Sequence, residues 1–196
     1  ARSRYLFIKQ HRPRFGDSVL AELRGVMDQS GNSPFWGAMG GRLFGMSFPE
    51  ADEFNAVHGT QFIADLFPKT PIYVSMLAES ARGGMGQPHP TGRAALKMLE
   101  SEGFDWDGYN DIFDAGPTGT ARTDKIKTVI EADWSRVAGT NDNGGATMML
   151  AAGVKQDFCA CYGQVAKTDN GELLIDGKAM DMLNIGPGDR VLAVSR

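Results

Sequence analysis

The 196-residue chain has three histidines, His11, His58 and His89, and the last stands between two prolines in the run Gly86-Gln87-Pro88-His89-Pro90. Proline fixes its own φ and pushes the residue before it toward extended conformations, so His89 has little backbone freedom. An imidazole held that stiffly before a helix suits acid–base work, because histidine ordinarily titrates near neutral pH. The same run also reads as a rigid turn whose imidazole caps or packs. A local motif alone does not separate the two readings.

Composition narrows the remaining chemistry. Lys and Arg number 20 against 24 Asp and Glu, a formal charge of −4, so there is no basic excess for a general nucleic-acid binder. The cluster Arg2, Arg4, Lys9, Arg12, Arg14 reads as a solvated helix face that could also help hold a phosphorylated cofactor. No run of about 18 apolar residues suggests a membrane span. The only cysteines, Cys159 and Cys161, would share one face of a strand, and their spacing does not suit a disulfide. No Cys/His cluster completes a zinc set, so no metal is expected, and two buried thiols fit a reducing cytoplasm. The opening Ala1-Arg2-Ser3-Arg4 has no initiator Met and lies already inside a helical pattern, which predicts a fragment or processed chain.

These side chains need elements to position them. The pattern predicts a helix over 1–12, a buried strand over 19–23, a loop at 28–32, and a short helix capped by Ser33 with Pro34 at its first position. A strand is expected at 43–48, helices near 50–56 and 59–66, and strand or helix at 71–77. A helix over 91–101 would bury Ala94, Ala95, Met98 and Leu99, and a strand at 109–113 would carry Asp111 with Asp114 beside it. Beyond about residue 120, strands are expected at 130–137, 148–153, 158–165, 173–175 and 190–194, with a helix at 178–183. Short, regularly spaced strands predict a small β-rich, barrel-like unit, so the organisation read from the chain is α+β with domains at 1–120 and 121–196.

Eight motifs in order carry a resemblance: Ala21-Glu22-Leu23-Arg24-Gly25, Ser33-Pro34-Phe35-Trp36, Phe62-Ile63-Ala64-Asp65-Leu66, Pro68-Lys69, Pro71-Ile72-Tyr73, Gly86-Gln87-Pro88-His89-Pro90, Glu102-Gly103-Phe104 and Asp111-Ile112-Phe113-Asp114-Ala115-Gly116-Pro117. Together they resemble the arginine N-succinyltransferase family, closely to about residue 138 and more loosely through 179–183 and Gly188-Asp189-Arg190-Val191. The resemblance implies the C-terminal part of a GNAT-like acyl-CoA N-acyltransferase domain followed by the β-rich unit. It implies succinyl transfer from succinyl-CoA, as cosubstrate with no bound cofactor, to the α-amine of L-arginine in arginine catabolism. Small-molecule substrates, no nucleic acid, no membrane and a homo- or hetero-oligomer are the implied partners.

In that family the proton donor is the histidine of a Gly-Gln-x-His-Pro motif, which matches His89. Collapse of the tetrahedral intermediate releases a thiolate, and a proton delivered to sulfur assists it. Arg24 could grip a carboxylate of arginine or of the succinyl group, or pair with Glu22 on the same strand face. Asp111 and Asp114 could meet a guanidinium or stand solvated at a strand end. Phe35 and Trp36 could stack on the guanidinium or belong to the core. One departure stands out, for the R/Q-x-x-G-x-G/A loop that cradles the CoA pyrophosphate is missing. Arg82-Gly83-Gly84-Met85-Gly86 is one residue short and reads as a flexible approach to His89. The CoA-binding residues are therefore unknown, the N-terminal cradle region is expected to be absent, and the chain alone is expected to bind succinyl-CoA poorly. A non-catalytic partner or amino-acid-binding subunit on an acyltransferase scaffold, and an enzyme for a related amine such as ornithine, are the competing readings.

Overall fold

The computed structural model describes residues 2–141 and 143–196. Ala1, where the expected first helix would begin, lies outside the described residues. Helix α1 runs over Ser3–Gln10 and passes into a 3-10 turn at Arg12–Arg14. The chain forms two compact units, Val19–Ala121 and a second that joins the segment up to Ser18 to Arg122–Arg196. This differs from a single cut near residue 120. The cause is burial: Leu6 of α1 is fully enclosed with Ala132, Met149, Ala151, Leu192 and Val194. The basic cluster helps to hold α1 there, since Arg2 Nε donates to Thr128 Oγ1 at 2.9 Å and Lys9 Nζ to the Val129 carbonyl at 2.7 Å. Arg12 is forked onto Asp124 and paired with Asp17, so three of the five basic residues are bonded within their own unit.

The Val19–Ala121 unit is organised on a three-stranded sheet. β1 (Ser18–Glu22) and β2 (Asp105–Asn110) are its edges, and β3 (Pro117–Arg122) lies between them. β1 is not the buried strand expected: Leu20 is 59% exposed, because an edge strand with one covered face shows alternate residues to solvent. Between β1 and β2 come α2 (Pro34–Ala38), α3 (Gly40–Phe44), α4 (Phe48–His58), α5 (Gln61–Leu66), α6 (Glu79–Gly84) and α7 (Arg93–Ser101). Ser33 Oγ caps α2 by accepting the Trp36 N–H at 3.0 Å.

The strand expected at 43–48 is absent, since α3 and α4 occupy it. A reciprocal capping box starts α4: the Ser47 N–H donates to Glu50 Oε2 at 2.8 Å, and Ser47 Oγ accepts from the Glu50 N–H at 3.5 Å. The Ser47 amide first, and then its hydroxyl, which donates to Glu50 Oε2 at 2.7 Å, hold the Glu50 carboxyl below its ordinary value. Residues 74–76 form a 3-10 turn. On α7 Leu99 is buried and Ala95, Leu96 and Met98 are half-buried, whereas Ala94 faces solvent.

The second unit adds α8 (Lys127–Glu131), β4 (Asp133–Thr140), β5 (Ala146–Ala152), β6 (Cys159–Lys167), β7 (Leu173–Ile175), α9 (Gly177–Leu183) and β8 (Arg190–Ser195). Residues expected to begin a strand at 130 finish α8 before β4 starts. The five strands close into a barrel in the order β4-β7-β6-β5-β8. The β4–β7 pair is parallel and the other pairs are antiparallel. Val137, Leu150, Val165, Leu173, Ile175 and Val191 fill it, and α9 covers one side through Ala179, Met180 and Leu183. Cys159 and Cys161 are both free thiols at this core, and burial pushes the Cys161 thiol up. No helix among the described residues is long and apolar enough to cross a membrane.

Candidate active site

Both sides of the His89 peptide are anchored. Its N–H donates to the Arg24 carbonyl at 2.7 Å, and its own carbonyl accepts the Gly92 N–H at 2.7 Å. The preceding Pro88 is buried and bridges Gly25 in antiparallel fashion. The backbone at His89 is extended, with φ −49° and ψ 143°, as its prolines demand. Residues 90–92 then make one 3-10 turn into α7. The imidazole is half-buried, its Nδ1 lying 2.8 Å from Thr91 Oγ1 and accepting the Thr91 N–H at 3.3 Å. Nε2 has no hydrogen bond among the described residues, so it is the nitrogen left for a ligand.

Three backbone segments cross behind this residue. A Cβ on Gly25 would overlap the Asp114 carbonyl, and one on Gly116 would overlap the Leu23 carbonyl. Only glycine permits that approach. Gly86 is equally constrained, with φ +70° and a Trp106 ring atom 2.5 Å from where a Cβ would stand. The Arg82–Gly86 segment is therefore no flexible approach to His89: its first three residues end α6, and Gly86 is a packed turn. Asp111 lies past the end of β2 rather than in a strand, because Asn110 ends the strand. Its Oδ1 accepts the Phe113 and Asp114 N–H groups at 2.8 and 3.1 Å, which builds the turn back to Gly116.

Residues 22–24 and 111–114, with α4 and Thr60, line a cleft of about 490 Å³. Its polar lining is Glu22, Arg24, Asp52, Asn55, Thr60, Asp111 and Asp114, with the apolar Phe48 and Phe113 among the rest, and His89 lies outside that lining. The volume falls in the range of small-molecule sites. Four carboxylates face one guanidinium there, so the cleft favours a cationic ligand that also carries an anionic group. Among the described residues no Glu22–Arg24 ion pair forms, which leaves both side chains open to the cleft. No group of His, Cys, Asp and Glu among the described residues is arranged to hold a metal ion.

The structure brings Glu22, Arg24 and Asp111 together on this cleft, and it hydrogen-bonds the His89 amide to Arg24. It places Phe35 and Trp36 elsewhere, which corrects the stacking role expected for them. Phe35 is 7% and Trp36 1% exposed. The Trp36 ring stacks on Phe44 and Phe113, at centroid distances of 5.6 and 5.1 Å, and its Nε1 donates to the Met46 carbonyl at 2.9 Å. Trp36 thus acts from behind, backing the Phe113 wall of the cleft. Sequence reasoning missed Asp52 and Asn55, although Ser47-x-x-Glu50 was a readable helix start that puts them three apart on one helix.

A three-stranded sheet with helices around a charged cleft, together with a closed five-stranded barrel, defines an α+β protein with a pocket of small-molecule size. Residues 1–128 match the family model for the arginine N-succinyltransferase beta subunit, and 135–195 match the model for that subunit's C-terminal domain. The chain belongs to the arginine N-succinyltransferase family. It is 40% identical over 194 residues to arginine N-succinyltransferase subunit beta of Pseudomonas aeruginosa, covering 99% of this chain and 57% of that protein. Subunit alpha of the same organism is 35% identical, covering 100% and 58%, and arginine N-succinyltransferase of Escherichia coli is 36% identical, covering 99% and 57%. The structure of arginine/ornithine succinyltransferase subunit AI from Pseudomonas aeruginosa superimposes with a TM-score of 0.85 at 33% identity, over 99% of this chain and 56% of that one. The chain therefore spans a little more than half the length of these relatives.

Proposed function

We propose that this chain carries the acceptor site and the proton donor of an arginine N-succinyltransferase, which moves succinyl from succinyl-CoA to the α-amine of L-arginine. In this reading Val19–Ala121 is the C-terminal part of a GNAT-like acyltransferase domain, and the barrel with α1 is a small β-rich domain. The observation that carries it is the cleft, with an excess of carboxylates around Arg24 and the His89 amide bonded to the Arg24 carbonyl. Free arginine has the matching charges: Asp111 faces the guanidinium and Arg24 the α-carboxylate by a two-toothed pair. Glu22 stands near the α-amine. The neutral amine attacks the thioester carbon, the C–S bond of the tetrahedral intermediate breaks, and His89 gives a proton to the leaving sulfur while the amine nitrogen loses one to solvent.

The solved relative is named for ornithine as well as arginine, which supports ornithine as a second acceptor for the same cleft. Two relatives of one organism are named alpha and beta subunits, which supports assembly with a second, homologous chain. The test is acceptor-dependent release of CoA thiol by the intact protein, with arginine, ornithine and arginine methyl ester compared. Arginine should turn over, and the ester, lacking the carboxylate, should lose most of its kcat/KM. Arginine binding with no turnover would instead establish the non-catalytic, amino-acid-binding reading.

A further inference from the structure

Building on the reading of His89 as proton donor, we propose that Thr91 is a positioning residue whose hydroxyl holds the imidazole through Nδ1 and reverses its hydrogen bond with the ring's protonation state. The placement is local and specific. Thr91 Oγ1 is 2.8 Å from Nδ1, a distance at which either atom can be the donor. The Thr91 N–H also points at Nδ1, at a longer 3.3 Å. When the ring is neutral with its proton on Nε2, Nδ1 is a bare acceptor and receives both Thr91 groups. When the ring is an imidazolium, Nδ1 carries a proton that the backbone N–H cannot accept. Only the hydroxyl can, by turning its own proton outward and offering a lone pair.

Proton transfer from Nε2 to the leaving sulfur then leaves the neutral ring with its proton on Nδ1, still bonded to Thr91 Oγ1. The ring keeps its orientation through the step, and the proton is delivered from Nε2 alone. A proton from solvent later restores the imidazolium. Two further points separate this role from packing. Thr91 is exposed, so its methyl group supports no core, and the His89 backbone is held independently by Arg24 and Gly92.

The experiment is proton–nitrogen NMR of the intact protein labelled with 15N-histidine, at a pH low enough to protonate His89, with assignment by loss of the signal in His89→Gln. The His89 Nδ1–H resonance should be sharp and slow to exchange in the wild type and in Thr91→Ser, and should broaden or vanish in Thr91→Val. In parallel, Thr91→Val should lower kcat about tenfold, a part of the hundredfold or more expected of a general acid, with the arginine KM unchanged. Thr91→Ser should restore it. A Nδ1–H signal that survives in Thr91→Val overturns the proposal. So does a kcat loss that serine does not rescue, or a loss matched by a change in KM. The NMR arm does not depend on turnover, so it still decides Thr91's role if His89→Gln proves fully active and the proton-donor reading fails.

Discussion

The barrel and the Val19–Ala121 unit are both built on sheets, yet they use backbone in opposite ways. In the barrel each strand is paired on both sides, and its interior is a continuous set of fully buried Val, Leu and Ile. In the other unit the three strands form an open sheet among the described residues, and several of the chemically important residues lie outside regular structure. His89 sits on a proline-flanked extended stretch, Asp111 on a turn, and Gly25 and Gly116 where backbones touch. Closure satisfies every strand and leaves little free to bind a ligand. An irregular backbone keeps carboxylates on a cleft and ties the segment that carries one imidazole to Arg24 beside it, at the cost of relying on a few tight contacts.

That contrast can be broken experimentally, beginning with the largest effect. Leu150→Ala in the fully buried barrel interior should cost about 2–5 kcal/mol in urea-monitored unfolding, while the proposed turnover of the folded protein is kept. Lost kcat at unchanged stability would reverse the assignment of roles. Gly116→Ala should act on the cleft instead, with turnover falling about a hundredfold as the Leu23 and Gly25 backbones are pushed away, and the far-UV spectrum nearly unchanged. Asp111→Asn keeps the oxygen that builds its turn and removes only charge. The arginine KM should rise about tenfold, near 1.4 kcal/mol, with kcat little altered.

The smallest effect concerns pH. The Arg12 guanidinium, chiefly through its hydrogen bonds, holds the Asp124 carboxyl below its ordinary value. A carboxylate depressed in the folded state adds stability above its unfolded pKa and loses it as pH falls through the folded one. The wild type should therefore lose slightly more stability than Asp124→Asn on acidification below about pH 4, where unfolded Asp begins to protonate. Because the pair is exposed, high salt should shrink the difference.

What could be read in advance followed the same division. β7 and the turns of the barrel were legible because alternation and Asn-Gly or Asp-Asn-Gly punctuation are local signals. The packing of α1 with the barrel was not, since nothing near Leu6 in sequence announces a contact with Leu192 or Val194. The strand expected at 43–48 failed for a related reason. Phe44, Met46 and Phe48 alternate with the small Gly45 and Ser47, but Phe44 turns into an aromatic cluster with Trp36, Phe62 and Phe67 that tertiary packing alone defines. The extended backbone at His89 was legible because two prolines restrict it whatever surrounds them. The opposite wall of its neighbouring cleft, Asp52 and Asn55, came into view only once α4 was placed.

The central claim is that His89 supplies the proton to the departing thiolate. Steady-state succinyl transfer to arginine by the intact protein, wild type against His89→Ala, tests it most directly. The account predicts a fall in kcat of roughly 10²–10⁴-fold, with the arginine KM and the unfolding midpoint nearly unchanged. Undiminished kcat in His89→Ala would contradict it.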